Sequence, residues 1–125
     1  MNPISVLVAD DDPDLREALI HLVRTEPTLD LVGAAEDAQQ AIDLATQHRP
    51  QVALVEARMQ GGGGARVARE ARDRAPGTRV IALSAYQDRD LVMDNLGAGV
   101  AGYIDKGAGR HEIVSAIRRC ARGQA

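Results

Sequence analysis

The sequence predicts one α/β domain: five βα units wound into a parallel five-stranded sheet, with helices on both faces. Three observations predict it. Five short apolar runs alternate with five stretches of helical period. The first, third and fourth runs are almost continuous Val, Ile, Leu and Ala, as central strands covered on both faces require. The length of 125 residues, 45% of them hydrophobic, suits one core and not two, so residues 1–125 are read as a single domain.

The elements follow in order. Residues 4–9, Ile-Ser-Val-Leu-Val-Ala, are the first strand. Asp12 then offers an N-cap, and Pro13 suits the first helical position. Leu15, Ala18, Leu19, Leu22 and Val23 recur at helical spacing and form one apolar stripe. Residues 29–34 are the second strand; Ala38, Ala41, Ile42 and Ala45 mark the second helix, with Pro50 closing its exit. The third strand is 51–56, and the four glycines 61–64 sit just past its end, where a mobile loop is tolerated. Val67, Ala68 and Ala71 mark a third helix that stops before Pro76-Gly77. After the fourth strand, 79–84, the residues Leu91, Val92 and Leu96 form the buried side of a shorter helix ended by Gly97 and Gly99. A fifth strand at 101–105 leads to a last helix with Ile113, Ile117 and Cys120 on one side. Arg118, Arg119 and Arg122 lie near its C-terminus, where the macrodipole favours cations.

Composition removes several functions. Fifteen Lys/Arg against 18 Asp/Glu, a net charge of −3, give no basic footprint for nucleic acid or an anionic membrane. There is no Phe or Trp and only Tyr86 and Tyr103, so no aromatic platform exists for stacking bases. The lone Cys120 cannot form an internal disulfide, no run of about 20 apolar residues exists, and the opening has no secretory pattern. A soluble, cytoplasmic protein is expected.

In open parallel sheets, sites form at the C-terminal ends of the strands. The first strand delivers Asp10, Asp11 and Asp12 there, the third Glu56, the fourth Ser84, and the fifth leads to Lys106. Several carboxylates on one rim repel one another unless a cation neutralises them, and hard oxygen ligands suit Mg²⁺. Asp12 is expected to act as a helix cap, whereas Asp10 and Asp11 gain little as caps and read as functional. Lys106 can meet a carboxylate or a phosphoryl oxygen, and Ser84 can donate to the same atom. His21, His48 and His111 lie on three separate helices and read as surface residues, not metal ligands.

The strings VLVADDDPDLREAL, PQVALVEARM, VIALSAY and AGVAGYIDKGA resemble the receiver (CheY-like) domain of bacterial two-component response regulators, particularly those joined to LuxR/NarL-type outputs. The resemblance spans essentially the whole chain and implies the flavodoxin-like strand order 2-1-3-4-5. It implies Mg²⁺ held by Asp11, by the residue at position 56, and by Asp10 through water. It also implies a histidine kinase that phosphorylates an Asp on the third strand, with Ser84 and Lys106 contacting the phosphate and Tyr103 turning inward as the helix-four face rearranges. Family members commonly continue into a DNA-binding helix-turn-helix, and no enzymatic turnover is implied. The helix-four, strand-five, helix-five face mixes Asp88, Asp90, Asp94 and Asp105 with Arg110, Arg118 and Arg119, which would allow a homodimer.

One residue departs from the pattern where it matters. Glu56 stands at the phosphoacceptor position, and Gln51 and Gln60 replace two further habitual residues. The extra methylene moves the nucleophilic oxygen by on the order of 1 Å, an error that costs ~10²-fold in alignment-dependent chemistry. An atypical, phosphorylation-independent receiver is therefore expected, with Mg²⁺ weakened or lost. Glu56 would reach toward Lys106 and Ser84, either mimicking the phosphorylated state or freezing the inactive one. The enzyme alternative is a haloacid-dehalogenase-like phosphohydrolase using Asp10 and Asp12, although the chain has no room for a cap domain. A flavodoxin-like FMN carrier is disfavoured because the first loop is acidic.

Overall fold

The computed structural model describes residues 2–84 and 89–123. It contains β1 (Ile4–Ala9), α1 (Pro13–Arg24), β2 (Leu29–Ala35), α2 (Ala38–His48), β3 (Val52–Glu56), α3 (Gly63–Arg74), β4 (Arg79–Ser84), α4 (Arg89–Gly97), β5 (Gly102–Asp105) and α5 (Arg110–Ala121). All strands are parallel, in the order β2-β1-β3-β4-β5. The predicted strand ranges hold to within one residue at each end.

Strand alternation sorts the core into two layers. Val6 and Val8 of β1, Val52 and Leu54 of β3, and Ile81 and Leu83 of β4 face α1 and α5, meeting Leu19, Leu22, Val23, Ile113 and Ile117. Leu7 and Ala9, Ala53 and Val55, and Val80 and Ala82 face the other way, onto α2 and α3. That second layer is built mostly from alanine, including Ala38, Ala41, Ala45, Ala65, Ala68 and Ala71. A chain without Phe or Trp closes its core there by letting backbones approach rather than by filling space with rings.

Helix ends follow local chemistry. Asp12 caps α1, its carboxylate accepting from the N–H of Asp14 at 2.9 Å, and Pro13 follows at the first helical position. Asp37 caps α2 by accepting from Gln40 N–H, while the Gln40 side chain accepts from Glu36 N–H at 2.8 Å. Left-handed Arg49 (φ 48°) ends α2 one residue before Pro50.

Three expectations need correction. Ala18 is exposed, so the α1 stripe narrows to Leu19, Leu22 and Val23 with Leu15 half-buried. On α4 the fully buried residue is Asn95, while Leu96 is 50% exposed: the helix turns its polar residue inward. The glycine run is only partly a loop. Gly61 and Gly62 turn the chain with positive φ, and Gly63 and Gly64 form the buried first turn of α3. The reason is steric: a Cβ on Gly63 (φ 61°) would sit 2.0 Å from the Ala57 carbonyl oxygen. No helix among the described residues is long and apolar enough to cross a membrane.

Candidate functional site

Strands β1, β3, β4 and β5 end on the same rim, and the sheet register determines what meets there. Glu56, the last residue of β3, pairs with Leu83, one residue before Ser84. Lys106 follows β5, and its N–H donates to the Ser84 carbonyl at 2.8 Å, so backbone geometry aims its side chain back over the strand ends. Asp10 follows β1, with its N–H bonded to the Ala35 carbonyl at 3.0 Å.

These residues converge. Lys106 Nζ lies 2.5 Å from Glu56 Oε2 and 3.2 Å from Asp10 Oδ2. Asp10 is fully buried, Glu56 and Ser84 nearly so, and the Lys106 side chain is 16% exposed. The other carboxylate oxygens are also engaged. Asp10 Oδ1 accepts from Asp12 N–H at 2.9 Å, and Glu56 Oε1 accepts from Arg58 N–H at 2.9 Å. Arg16 on α1 donates to the Asp10 carbonyl at 2.9 Å and steadies the loop. A cavity of about 180 Å³ walled by Leu15, Leu19, Leu22, Leu83 and Ile113 opens beside Asp10 and Lys106. Its apolar lining weakens solvent screening of the ion pair. Burial works to lower the Lys106 pKa, but bonding and charge from Glu56, and then from Asp10, outweigh it and hold the ammonium above its ordinary value.

Asp11 stands apart: it is exposed, and its Oδ2 accepts from Gln60 N–H at 3.3 Å. Asp12 is on the surface as the α1 cap, which removes the acid/base partner that a phosphohydrolase reading needs. Tyr103 lies on β5 against the α2–α3 layer; its hydroxyl is buried and has no hydrogen-bond partner among the described residues. His21, His48 and His111 are exposed, as expected.

The donor set fits a divalent cation poorly as arranged. Among the described residues no three acidic, His or Cys side chains are grouped to hold a metal. Both oxygens of Asp10 and both of Glu56 already face N–H or ammonium donors, and the Lys106 ammonium lies between the two buried carboxylates, offsetting one of their two charges.

The predicted interaction face is also rearranged. Arg118 lies 3.2 Å from Glu26 and donates to Thr28 Oγ1 at 2.9 Å, and Arg110 donates to the Leu22 carbonyl at 3.2 Å. Both arginines stitch α5 to α1 and to the start of β2, while exposed Arg119 donates to Ser115 Oγ on its own helix at 3.0 Å. Asp88 lies outside the described residues. Sequence reasoning missed Asn95 altogether, because an Asn within an apolar helical pattern carries no periodic signal of its own.

Comparison with known proteins agrees with this geometry. The response regulator receiver domain profile matches residues 6–118. A probable transcriptional regulatory protein of Mycobacterium tuberculosis, NarL, is 37% identical over 121 residues, covering 97% of this chain and 56% of that protein. The response regulator GacA of Pseudomonas protegens is 34% identical, covering 97% of this chain and 57% of its own length. The chain thus spans just over half the length of the curated relatives it matches. The solved signal receiver domain of Mycobacterium tuberculosis NarL superposes with a TM-score of 0.95 at 36% identity, covering 99% of this chain and 100% of that one. A phosphohydrolase finds no support in these relatives. With an acidic rim, a strand-four hydroxyl and a strand-five lysine on a 2-1-3-4-5 sheet, the chain belongs to the response regulator receiver family and is a receiver domain of the NarL/LuxR type.

Proposed function

We propose that this receiver signals without phosphoryl transfer, because an internal ion pair fills the position where modification and metal would act. One observation carries the reading: the Glu56 carboxylate reaches Lys106 at 2.5 Å while Asp10 holds the same ammonium from the other side. The longer acid places its oxygen on the lysine that the family resemblance assigns to contact with the phosphate. Lys106 then supplies the positive charge that Mg²⁺ supplies in receivers generally. If the pocket opened, Asp11, Glu56 and Asp10 would be the residues to hold such an ion, and it would polarise the phosphoryl group of a donor.

Of the two states open to such a pocket, the burial of the Tyr103 hydroxyl supports the active-like one. An inward aromatic on the fifth strand is the setting that the family resemblance ties to activation. The Glu56 carboxylate supplies one negative charge where a phosphoryl group supplies about two, so its bias is weaker than that of true modification. In a full-length protein like its NarL-type relatives, this domain would regulate a DNA-binding output in the cytoplasm through its helix-four and helix-five face, as a dimer or in contact with that output, with a histidine kinase as the ancestral partner. Its work is contact, not turnover.

Intact-mass spectrometry after incubation with acetyl phosphate and Mg²⁺ tests this. No mass increase is expected on the wild-type chain, whereas Glu56→Asp should restore labelling. A stable adduct on Glu56 itself would overturn the proposal.

A further inference from the structure

Asn95 is fully buried in α4, an expensive place for a carboxamide that is only half satisfied. Its Nδ2 donates to the Leu91 carbonyl at 2.8 Å, one turn back along the helix, which fixes the amide orientation and points Oδ1 the other way. Oδ1 has no hydrogen-bond donor. What it faces is Gly64: a Cβ placed on that glycine would lie 2.7 Å from the oxygen.

Gly64 belongs to the first turn of α3, and that end of the helix is uncapped. Gly62 at the N-cap offers no side chain, and the first bond into the helix is Arg66 N–H to the Gly62 carbonyl. Gly63, Gly64 and Ala65 are buried, and the first-turn N–H groups of a helix have no acceptor within the helix itself. A 12-residue helix carries partial positive charge at that end. A buried oxygen with no donor therefore stands against a buried helix end with no side-chain cap, and the positive end of the helix offsets part of the oxygen's cost electrostatically.

The contacts continue back to the acidic site. Glu56 Oε1 holds Arg58 N–H, and its carbonyl holds Met59 N–H at 3.2 Å, which sets the turn after β3. The Ala57 carbonyl in that turn lies so close to Gly63 that no side chain fits there. At the far end, the Asn95 carbonyl accepts from Ala98 N–H and Val100 N–H where α4 gives way to β5, and Arg72 of α3 donates to the Ala98 carbonyl at 2.9 Å.

We infer that Asn95 is a latch tying α4 to the glycine-opened end of α3, and that the Gly61–Gly64 run passes the state of the Glu56 pocket to α4. The latch itself stands on geometry; its meaning as signal transmission rests on the receiver reading. It explains together the four glycines, the bare α3 cap and the inward polar residue of α4.

Hydrogen exchange read by mass spectrometry, without phosphodonor or metal, tests the latch. Asn95→Leu keeps the branched shape and the number of side-chain heavy atoms and removes the oxygen, and should speed exchange across Arg89–Gly97 at least about fivefold while α1 and α2 are unchanged. Gly64→Ala, which displaces the carboxamide with Asn95 still present, should reproduce that pattern. Unchanged or slower α4 exchange in Asn95→Leu would show that the carboxamide is only a tolerated burden and would overturn the latch. For the coupling, Glu56→Ala should speed α4 exchange in the wild-type background and add nothing in Asn95→Leu; additive effects would refute the transmission route. Because no labelling step is involved, these outcomes are independent of whether Glu56 accepts phosphate.

Discussion

Replacing Lys106 with methionine isolates the interaction on which the site depends. The substitution keeps an unbranched side chain and removes the charge that lies between two carboxylates whose side chains are 1% and 6% exposed. Deleting one partner of a buried ion pair costs about 3–5 kcal/mol, because an uncompensated charge stays behind. For a chain of 125 residues, an unfolding entropy of about 2.1 cal/mol/K per residue converts each kcal/mol into roughly 4 °C. Lys106→Met should therefore lower the thermal midpoint by about 12–20 °C, followed by circular dichroism in EDTA. Adding Glu56→Gln to Lys106→Met should recover a large part of that loss, since one of the stranded charges is gone. With the ammonium absent, Mg²⁺ gains a reason to bind, and saturation to about ten times its Kd would return about 1.4 kcal/mol, near 6 °C. The wild type should show no such response. A loss of less than about 4 °C in Lys106→Met, or an equal Mg²⁺ shift in the wild type, would refute the claim that the lysine is the resident counter-charge.

Other outcomes follow from the same contacts. The Lys106 pKa is raised in the folded state, so its stabilising contribution is complete below the unfolded lysine value and disappears only as pH climbs through the higher folded one. The stability gap between wild type and Lys106→Met should therefore be flat in its lysine contribution from pH 7 to 9 and shrink above about pH 10.5. Gly63→Ala should cost more than about 2 kcal/mol, because it combines a left-handed backbone with a 2.0 Å clash on Ala57. Gly97→Ala, with nothing within 4 Å, should change stability by between zero and about 1 kcal/mol in the favourable direction, both read by urea denaturation. Burial pushes the Cys120 thiol pKa up, against the opposing charges of Arg119 and Arg79, so the native thiol should react with a disulfide reagent at pH 8 only as fast as the domain opens. Rapid labelling under native conditions would show that the α5 layer is not packed as described.

The fold was legible because its signals are local and repeated. The near-continuous apolar runs of β1, β3 and β4, the cap at Asp12 and the stop before Pro76 each need only a few neighbouring residues to be read. The failures share a different cause. Leu96 fits the helical pattern and Asn95 does not, yet burial on α4 is decided by what α3 presents to it, namely a glycine with room for a carboxamide. Likewise Arg110 and Arg118 sit on a charged helix face, and only the fold shows that Glu26 and the Leu22 carbonyl claim them. The glycine run reads as slack in one dimension because its constraint, the Ala57 carbonyl and the Asn95 side chain, comes from two separate segments.

At the acidic site the sequence named the residues, and the structure supplies the charge balance that decides their chemistry. Asp10 and Glu56 bring two negative charges, and Lys106 brings one positive, so the buried pocket is left net negative and relies on the N–H groups of Asp12 and Arg58 for the remainder. A phosphodonor entering without a metal would meet that residual charge with the wrong sign. At about 4 Å and an effective dielectric near 20, each pair of like charges costs about 4 kcal/mol. This adds to the ~10²-fold penalty of a misplaced nucleophile. Admitting Mg²⁺ would remove the repulsion, but only after the ammonium has given up both carboxylates. Geometry and electrostatics thus oppose modification independently. On this argument Glu56→Asp relieves the positional penalty and loosens the lysine at once, whereas shifting the lysine alone leaves the acid too long and labelling poor.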